Sequence, residues 1–233
     1  MSAMIPALHT RDGAREYLDL PTLDRIELHR NLREMAMLNR LPGGSNASRR
    51  AIESLLDGVE RAVVVDVGTG SGDLPALLAR HRGARHLQVL ACDVRLEVLE
   101  YTARRLAGVR DVEVLEADAR RLPFTDESAD VVHGSLLIHH FDPPDAIRVL
   151  GEMRRVARRG VVVNDLRRGR LAFALSAATV LGLARARYTR HDGVLSARRA
   201  YTLEELDELA ASAGLRRVRR TLAFLPRVVT VYR

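Results

Sequence analysis

Largely apolar runs rich in valine recur near residues 62–67, 87–93, 112–116, 129–134 and 160–165. Short runs of this kind mark strands that are buried on both faces, as in a parallel sheet. Between them, near 73–82, 95–107 and 143–157, apolar residues return every three or four positions. That is the spacing of helices that bury one face. Strand and helix in alternation predict a doubly wound α/β sheet. A final pair of apolar stretches, Leu215–Leu222 and Arg227–Arg233, is linked through Leu225-Pro226 and adds two more strands.

Two segments stand outside this alternation. Residues 1–59 read as a helical preface, with Leu23, Ile26, Leu32, Met35 and Leu38 near helical spacing. Leu41-Pro-Gly-Gly-Ser-Asn breaks that pattern before a second helix from about 47 to 57. The main domain, 60–233, carries an insertion at 165–200, ahead of a helix that starts at Thr202. Within it, Leu171–Ala184 is apolar and flanked by arginines. It is shorter than the ~20 residues of a membrane span and too apolar for an ordinary surface helix. We expect a lid over the ligand cleft, without stable membrane insertion; a homodimer interface is the alternative.

The densest chemical signal is Val63-Val-Val-Asp-Val-Gly-Thr-Gly-Ser-Gly-Asp73, a strand, a glycine turn and the start of a helix. Glycine is required where backbone approaches a ligand too closely for a Cβ. The spacing does not fit G-x-G-x-x-G, because Asp73 holds the third position, and the chain lacks lysine, which a phosphate loop requires. Acids then close the next two strands, at Asp93 and Asp118. Asp93 lies about twenty residues beyond the glycines, the place from which an acid reaches ribose hydroxyls.

Asp66-x-Gly68-x-Gly70-x-Gly72, followed by Asp93 and Asp118, resembles the class I S-adenosylmethionine-dependent methyltransferases. Leu122-Pro-Phe-Thr-Asp-Glu-Ser-Ala-Asp130 is similar to the quinone-biosynthesis members of that class. The resemblance implies a Rossmann-like seven-stranded sheet in the order 3-2-1-4-5-7-6, closed by an antiparallel hairpin. It implies S-adenosylmethionine as cofactor, held by Asp66, Gly68, Thr69, Gly70, Gly72, Asp93, Val94, Asp118, Ala119 and Ser135. It also implies that the helical preface lies over the cofactor cleft.

An oxygen nucleophile needs its proton removed, and histidine is suited to that near neutral pH. His139 and His140 follow the fourth strand, where this class places substrate-facing residues, and His191 on the insertion competes with them. Tyr188, Arg190 and Asp192 are expected beside His191 at the substrate-binding rim, with Arg185 and Arg187. Asp142-Pro143-Pro144 reads as a turn opening a helix; it comes too late to be the signature of amino-group methyltransferases.

Composition narrows the partners. The chain has 233 residues, 47% hydrophobic, and Cys92 is its one cysteine, so no disulfide framework and no clustered thiolate metal site are expected, and no metal ligands are assigned. Cys92 ends a strand and reads as an inert thiol. The net charge of +7 rests on arginine alone, scattered in pairs from 49–50 to 219–220, with few aromatics for base stacking. A nucleic-acid partner is therefore disfavoured. Met1-Ser-Ala-Met-Ile-Pro6 does not read as a signal peptide, so a cytoplasmic enzyme of secondary metabolism is expected. The function expected is methylation of an oxygen or carbon of a small, lipophilic aromatic or polyketide-derived acceptor. An RNA-modifying methyltransferase is the alternative.

Overall fold

Successive valines of the first strand point to opposite faces, and both faces are covered. The computed structural model describes residues 11–83, 85–222 and 226–233. Its sheet runs β3 (Val112–Glu116), β2 (His86–Asp93), β1 (Arg61–Val67), β4 (Ala129–Ser135), β5 (Ala157–Leu166), β7 (Arg227–Tyr232), β6 (Arg217–Leu222). The first five strands are parallel, and β7 is antiparallel to both β5 and β6. The expected order and the antiparallel closing pair are thus both present. The linker residue Leu225 and the N-terminal segment read for a signal peptide lie outside the described residues.

Two cores follow from strand periodicity. On one face Val64, Val89, Val131, Val162 and Val229 meet α2 (Ser45–Leu55) and α3 (Asp73–His81). On the other, Val65, Val132, Val161 and Val163 meet α5 (Pro143–Val156) and α8 (Leu203–Ser212). The Asp142-Pro143-Pro144 triplet opens α5 as the sequence predicts. Thr202 and Glu205 close a capping box on α8. Cys92 is buried on β2, and burial pushes its thiol up to about 12, in keeping with an inert side chain.

A helical roof covers the carboxyl ends of the strands. It comprises α1 (Arg25–Leu38) from the preface and α6 (Arg170–Leu183) and α7 (Arg187–Arg199) from the insertion, while α4 (Leu96–Arg105) follows β2. The first backbone N–H groups of α7 have no partner within their own helix. They and the residues just before them donate instead to α1 carboxylates: Arg187 to Glu27 at 3.0 Å, Ala186 and Arg185 to Glu34 at 3.0 and 2.8 Å. Sequence reading did not see α7, whose charged run and central Gly193 argue locally against a helix. The glycine has a packing reason: a Cβ there would lie 2.8 Å from Val180 on α6. The outer side of α6 leaves Leu171, Leu181 and Leu183 exposed. Among the described residues no helix is long and apolar enough to cross a membrane.

Because α6 and α7 touch through Gly193, Gly193→Val should overpack their interface and lower stability by about 2 kcal/mol. Urea unfolding of the two proteins measures this. An unchanged midpoint would mean that the helices do not pack closely in solution.

Candidate functional site

Gly68, Gly70 and Gly72 hold φ of 67°, 52° and 70°, left-handed conformations that side chains resist. Added Cβ atoms at Gly68 and Gly72 would run into Leu137 and Thr102, each at 2.8 Å. At Gly70 the nearest atom is Gly68 O at 4.0 Å. Its open side therefore faces a cavity of about 650 Å³ beneath the roof. This is space a ligand can take and a side chain would fill, so the turn fits a closely apposed cofactor.

The acids take their places around that turn. Asp93 at the end of β2 accepts the Gly70 N–H at 3.2 Å and the Arg95 N–H at 3.1 Å. Burial raises its pKa, and these backbone donors partly counter the rise. Val94 beside it is exposed along the cavity. Asp118 lines the next stretch with Ala119 and is clasped by Arg120 at 2.7 Å, which holds its carboxyl below the usual range. Ser135 lines the floor and accepts from Arg227 Nη2 at 2.7 Å. The next residue, Leu136, has a φ of 52° without being glycine, a strained backbone at the cavity wall.

Asp66 does not project freely. Its carboxylate accepts from Thr69 Oγ1 at 2.7 Å and from His133 Nδ1 at 2.6 Å. A carboxylate only accepts, so Nδ1 carries the proton and His133 Nε2 accepts from Ser48 Oγ at 2.9 Å. Asn164 Nδ2 donates to the same hydroxyl at 2.8 Å, and Asn164 Oδ1 accepts from Arg227 Nε at 3.1 Å. Arg227 then reaches Asn39 Oδ1 at 2.5 Å, and Asn39 and Ser45 both donate to Asp73. Burial pulls Arg227 down to about 10, still charged near neutral pH. One polar chain thus joins the glycine turn to β4, β5, β7 and the preface. Sequence reading had passed over His133, Asn164 and Arg227.

The far end of the cavity gathers imidazoles and acids. His139 is buried, and Asp165 accepts its Nδ1–H at 2.6 Å and its backbone N–H at 3.2 Å. Burial works against the Asp165 charge, yet His139 and the backbone donors hold its pKa low. Among the described residues His139 Nε2 is buried without a hydrogen-bond partner, 3.7 Å from Glu16 Oε1. His140 Nδ1 bonds Asp19 at 3.0 Å, and its Nε2 lies 3.7 Å from Glu16 Oε2. Burial disfavours a charged His140, but Glu16 and Asp19 outweigh it and raise the ring to about 9. Arg199 pairs with Asp19 at 2.6 Å, and Ser196 donates to Glu16 at 2.9 Å. Glu16 and Asp19 carry no motif, and only the fold identifies them as site residues.

The insertion contributes Ser176, Thr179 and Val180 from α6 and Thr189, Asp192 and Ser196 from α7 to the cavity wall. Asp192 is buried and accepts the N–H groups of Tyr17 and Leu18 at 2.8 and 3.2 Å. The expected companions of Asp192 point elsewhere. Tyr188 is buried against Tyr17, ring centroids 5.0 Å apart, and its hydroxyl accepts the Asp24 N–H. Arg190 reaches carbonyls at the end of α6, and His191 is half exposed, packed on Tyr17 and bonded to Asp192. None of Tyr188, Arg190 and His191 lines the cavity: Tyr188 shares the Asp192 face but is one turn away, packed on Tyr17, and Arg190 and His191 lie off that face.

Comparison with known proteins agrees with this architecture. A methyltransferase-domain family model matches residues 64–160. A demethylmenaquinone methyltransferase of Thermotoga maritima is 37% identical over 111 residues, 48% of this chain and 45% of that protein. A malonyl-[acyl-carrier protein] O-methyltransferase of Herminiimonas arsenicoxydans is 30% identical over 156 residues, 66% of this chain and 53% of that one. The chain thus spans about half the length of these relatives. Among solved structures, a SAM-dependent methyltransferase from Aquifex aeolicus superposes with a TM-score of 0.59 at 21% identity, covering 91% of this chain and 98% of that one. At that identity the likeness speaks for the fold.

The polar chain beneath the turn makes a stability prediction. His133→Ala leaves the buried Asp66 carboxylate without its main partner and should cost about 3 kcal/mol. Urea denaturation followed by circular dichroism measures the loss, and a cost below about 0.5 kcal/mol, the ordinary scatter of surface changes, would contradict the pairing.

Proposed function

Residues 64–160 being a methyltransferase domain of the class I, S-adenosylmethionine-dependent family, we propose that the protein methylates an oxygen or carbon of a small, largely apolar acceptor. One observation carries the reading: a single roofed cavity joins the glycine turn and Asp93 to the Glu16–His139–His140 group. Its volume of about 650 Å³ lies in the range of small-molecule sites, roughly 300–1,000 Å³. Leu18, Leu32, Met35, Leu137 and Val180 make much of its wall apolar.

S-adenosylmethionine supplies a methyl group already activated on a sulfonium. The work left to the protein is alignment and removal of a proton. Gly68–Gly72 and Asp93 would hold the cofactor's amino-acid and ribose parts, and Asp118 with Ala119 the adenine side. The acceptor would occupy the end beneath α6 and α7, against His139. Asp165 fixes the tautomer of that ring and leaves the Nε2 lone pair toward Glu16. A roof that limits water at the reacting atoms would strengthen electrostatic interactions with a developing charge. The quinone and malonyl-acyl-carrier acceptors named for the two relatives support a carbonyl-bearing or phenolic acceptor for this chain.

Asp93→Ala should weaken S-adenosylmethionine binding by roughly 1.5–3 kcal/mol, the scale of hydrogen bonds involving a charged group. Isothermal titration calorimetry on the folded variant measures it, and unchanged affinity, or tight NAD binding by the parent, would sink the cofactor assignment. The small-molecule reading predicts no RNA complex beyond non-specific affinity, about 10⁻⁴–10⁻⁶ M at physiological salt. A submicromolar complex with one structured RNA in a filter-binding assay would favour RNA modification instead. With its ring outside the cavity, His191→Ala should leave turnover within about twofold, some 0.4 kcal/mol, which steady-state rates with an accepted substrate would check.

A further inference from the structure

Glu16, His139 and His140 bring a carboxylate oxygen and two ring nitrogens within 4.8 Å of one another. We propose that these three side chains bind one divalent cation of the zinc or iron type, which takes an oxygen of the acceptor as a further ligand. The metal is argued from the cluster's own geometry; only the acceptor's part rests on the function proposed above.

Hydrogen-bond accounting gives the first argument. Both rings spend Nδ1 on a carboxylate, His139 on Asp165 at 2.6 Å and His140 on Asp19 at 3.0 Å. Carboxylates only accept, so each Nδ1 bears a proton and Nε2 is the ring nitrogen left for a metal, which on His140 displaces the second proton that Glu16 and Asp19 favour. Both Nε2 atoms face Glu16, one toward each oxygen, at 3.7 Å. That is too long for a hydrogen bond. It suits two ligands around a common centre, since atoms each about 2.1 Å from a tetrahedral ion lie roughly 3.4 Å apart.

That His139 Nε2 is buried and has no hydrogen-bond partner among the described residues is an independent observation. A buried acceptor without a donor is destabilising, and a native site that keeps one calls for a ligand. A carboxylate behind each imidazole is also the arrangement that orients metal-bound histidines and raises their basicity.

Local charge points the same way. Arg11 is paired with Asp142, and Arg199 is shared between Asp19 at 2.6 Å and Glu16 at 3.9 Å, so the carboxylates of Glu16, Asp19, Asp165 and Asp192 outnumber the one guanidinium they share beside the rings. Ser196 steadies Glu16 with a hydrogen bond to one oxygen. Two imidazoles and one carboxylate favour zinc or iron over magnesium or calcium, which prefer oxygen alone. Three protein ligands also leave a position open, and all three line the cavity. An acceptor hydroxyl that enters this position forms a metal–oxygen bond and gives its proton to bulk water, so that it is held as the more nucleophilic oxyanion.

The test is titration of the metal-free full chain with Zn²⁺ in the calorimeter, against a competing chelator of known affinity. One equivalent should bind. Glu16→Gln and His140→Ala, each checked for fold by circular dichroism, should lose that binding, and Asp165→Asn should weaken it about 10- to 100-fold. Absence of a stoichiometric Zn²⁺ site in the parent, or a site that survives both ligand substitutions, overturns the proposal. S-adenosylhomocysteine titrated into the same samples reports on the methyltransferase reading separately. If the parent binds S-adenosylhomocysteine but not Zn²⁺, the metal alone is refuted and His139 is left as the direct proton acceptor. If it binds Zn²⁺ but not S-adenosylhomocysteine, the metal site stands and the methyl-transfer reading fails.

Discussion

A carboxylate buried at the carboxyl end of β1 is the constraint from which the rest of the site follows. Asp66 is nearly inaccessible, and an ion in that position costs several kcal/mol unless it is matched and hydrogen-bonded. The match comes from His133 on the neighbouring strand. His133 in turn requires a donor on its other nitrogen, and Ser48 of α2 provides it. Each further group, Asn164 and then Arg227, satisfies the one before and needs one after. The chain ends on Asn39 and Asp73 beside the glycine turn where it began. A set of polar groups linked in this way fixes the cavity floor, because no member can turn away without leaving another unpaired.

On that floor the cavity has two chemically distinct ends. At one, left-handed glycines and Asp93 present backbone and a carboxylate, a surface suited to a polar nucleoside-bearing ligand. At the other, two histidines and several acids are enclosed by α1, α6 and α7. The roof is bound to the preface by specific contacts: Glu27 and Glu34 hold the start of α7, and Asp192 holds the backbone at Tyr17. Preface and insertion therefore act as one cover. Moving either would expose the acid–imidazole end to water and disturb the positions of Glu16 and Asp19.

The sheet was legible because its signals are local. Valine-rich runs and helical spacing depend on near neighbours, and the observed strands agree with the expected ones to within a few residues. The glycine turn and the acids after β2 and β3 were legible for the same reason. What escaped were choices made across long sequence separations. Glu16 and Asp19 precede any motif and matter only because the roof folds them onto His139 and His140. His133 looks from sequence like the end of a strand, and its meaning lies in the register that sets it opposite Asp66. The insertion's histidine was misleading in the opposite way: His191 is attractive chemistry in a plausible segment, yet the α7 repeat turns it outward and brings Asp192 in.

The central claim is that one cavity holds a methyl donor at the glycine turn and an acceptor at the acid–imidazole end. A crystal structure with S-adenosylhomocysteine tests this most directly. The account predicts the ribose against Asp93, the amino-acid part along Gly68–Gly72, and the sulfur turned toward His139 and Glu16 beneath α6 and α7. A sulfur that faces away from that group, toward open solvent, would contradict it.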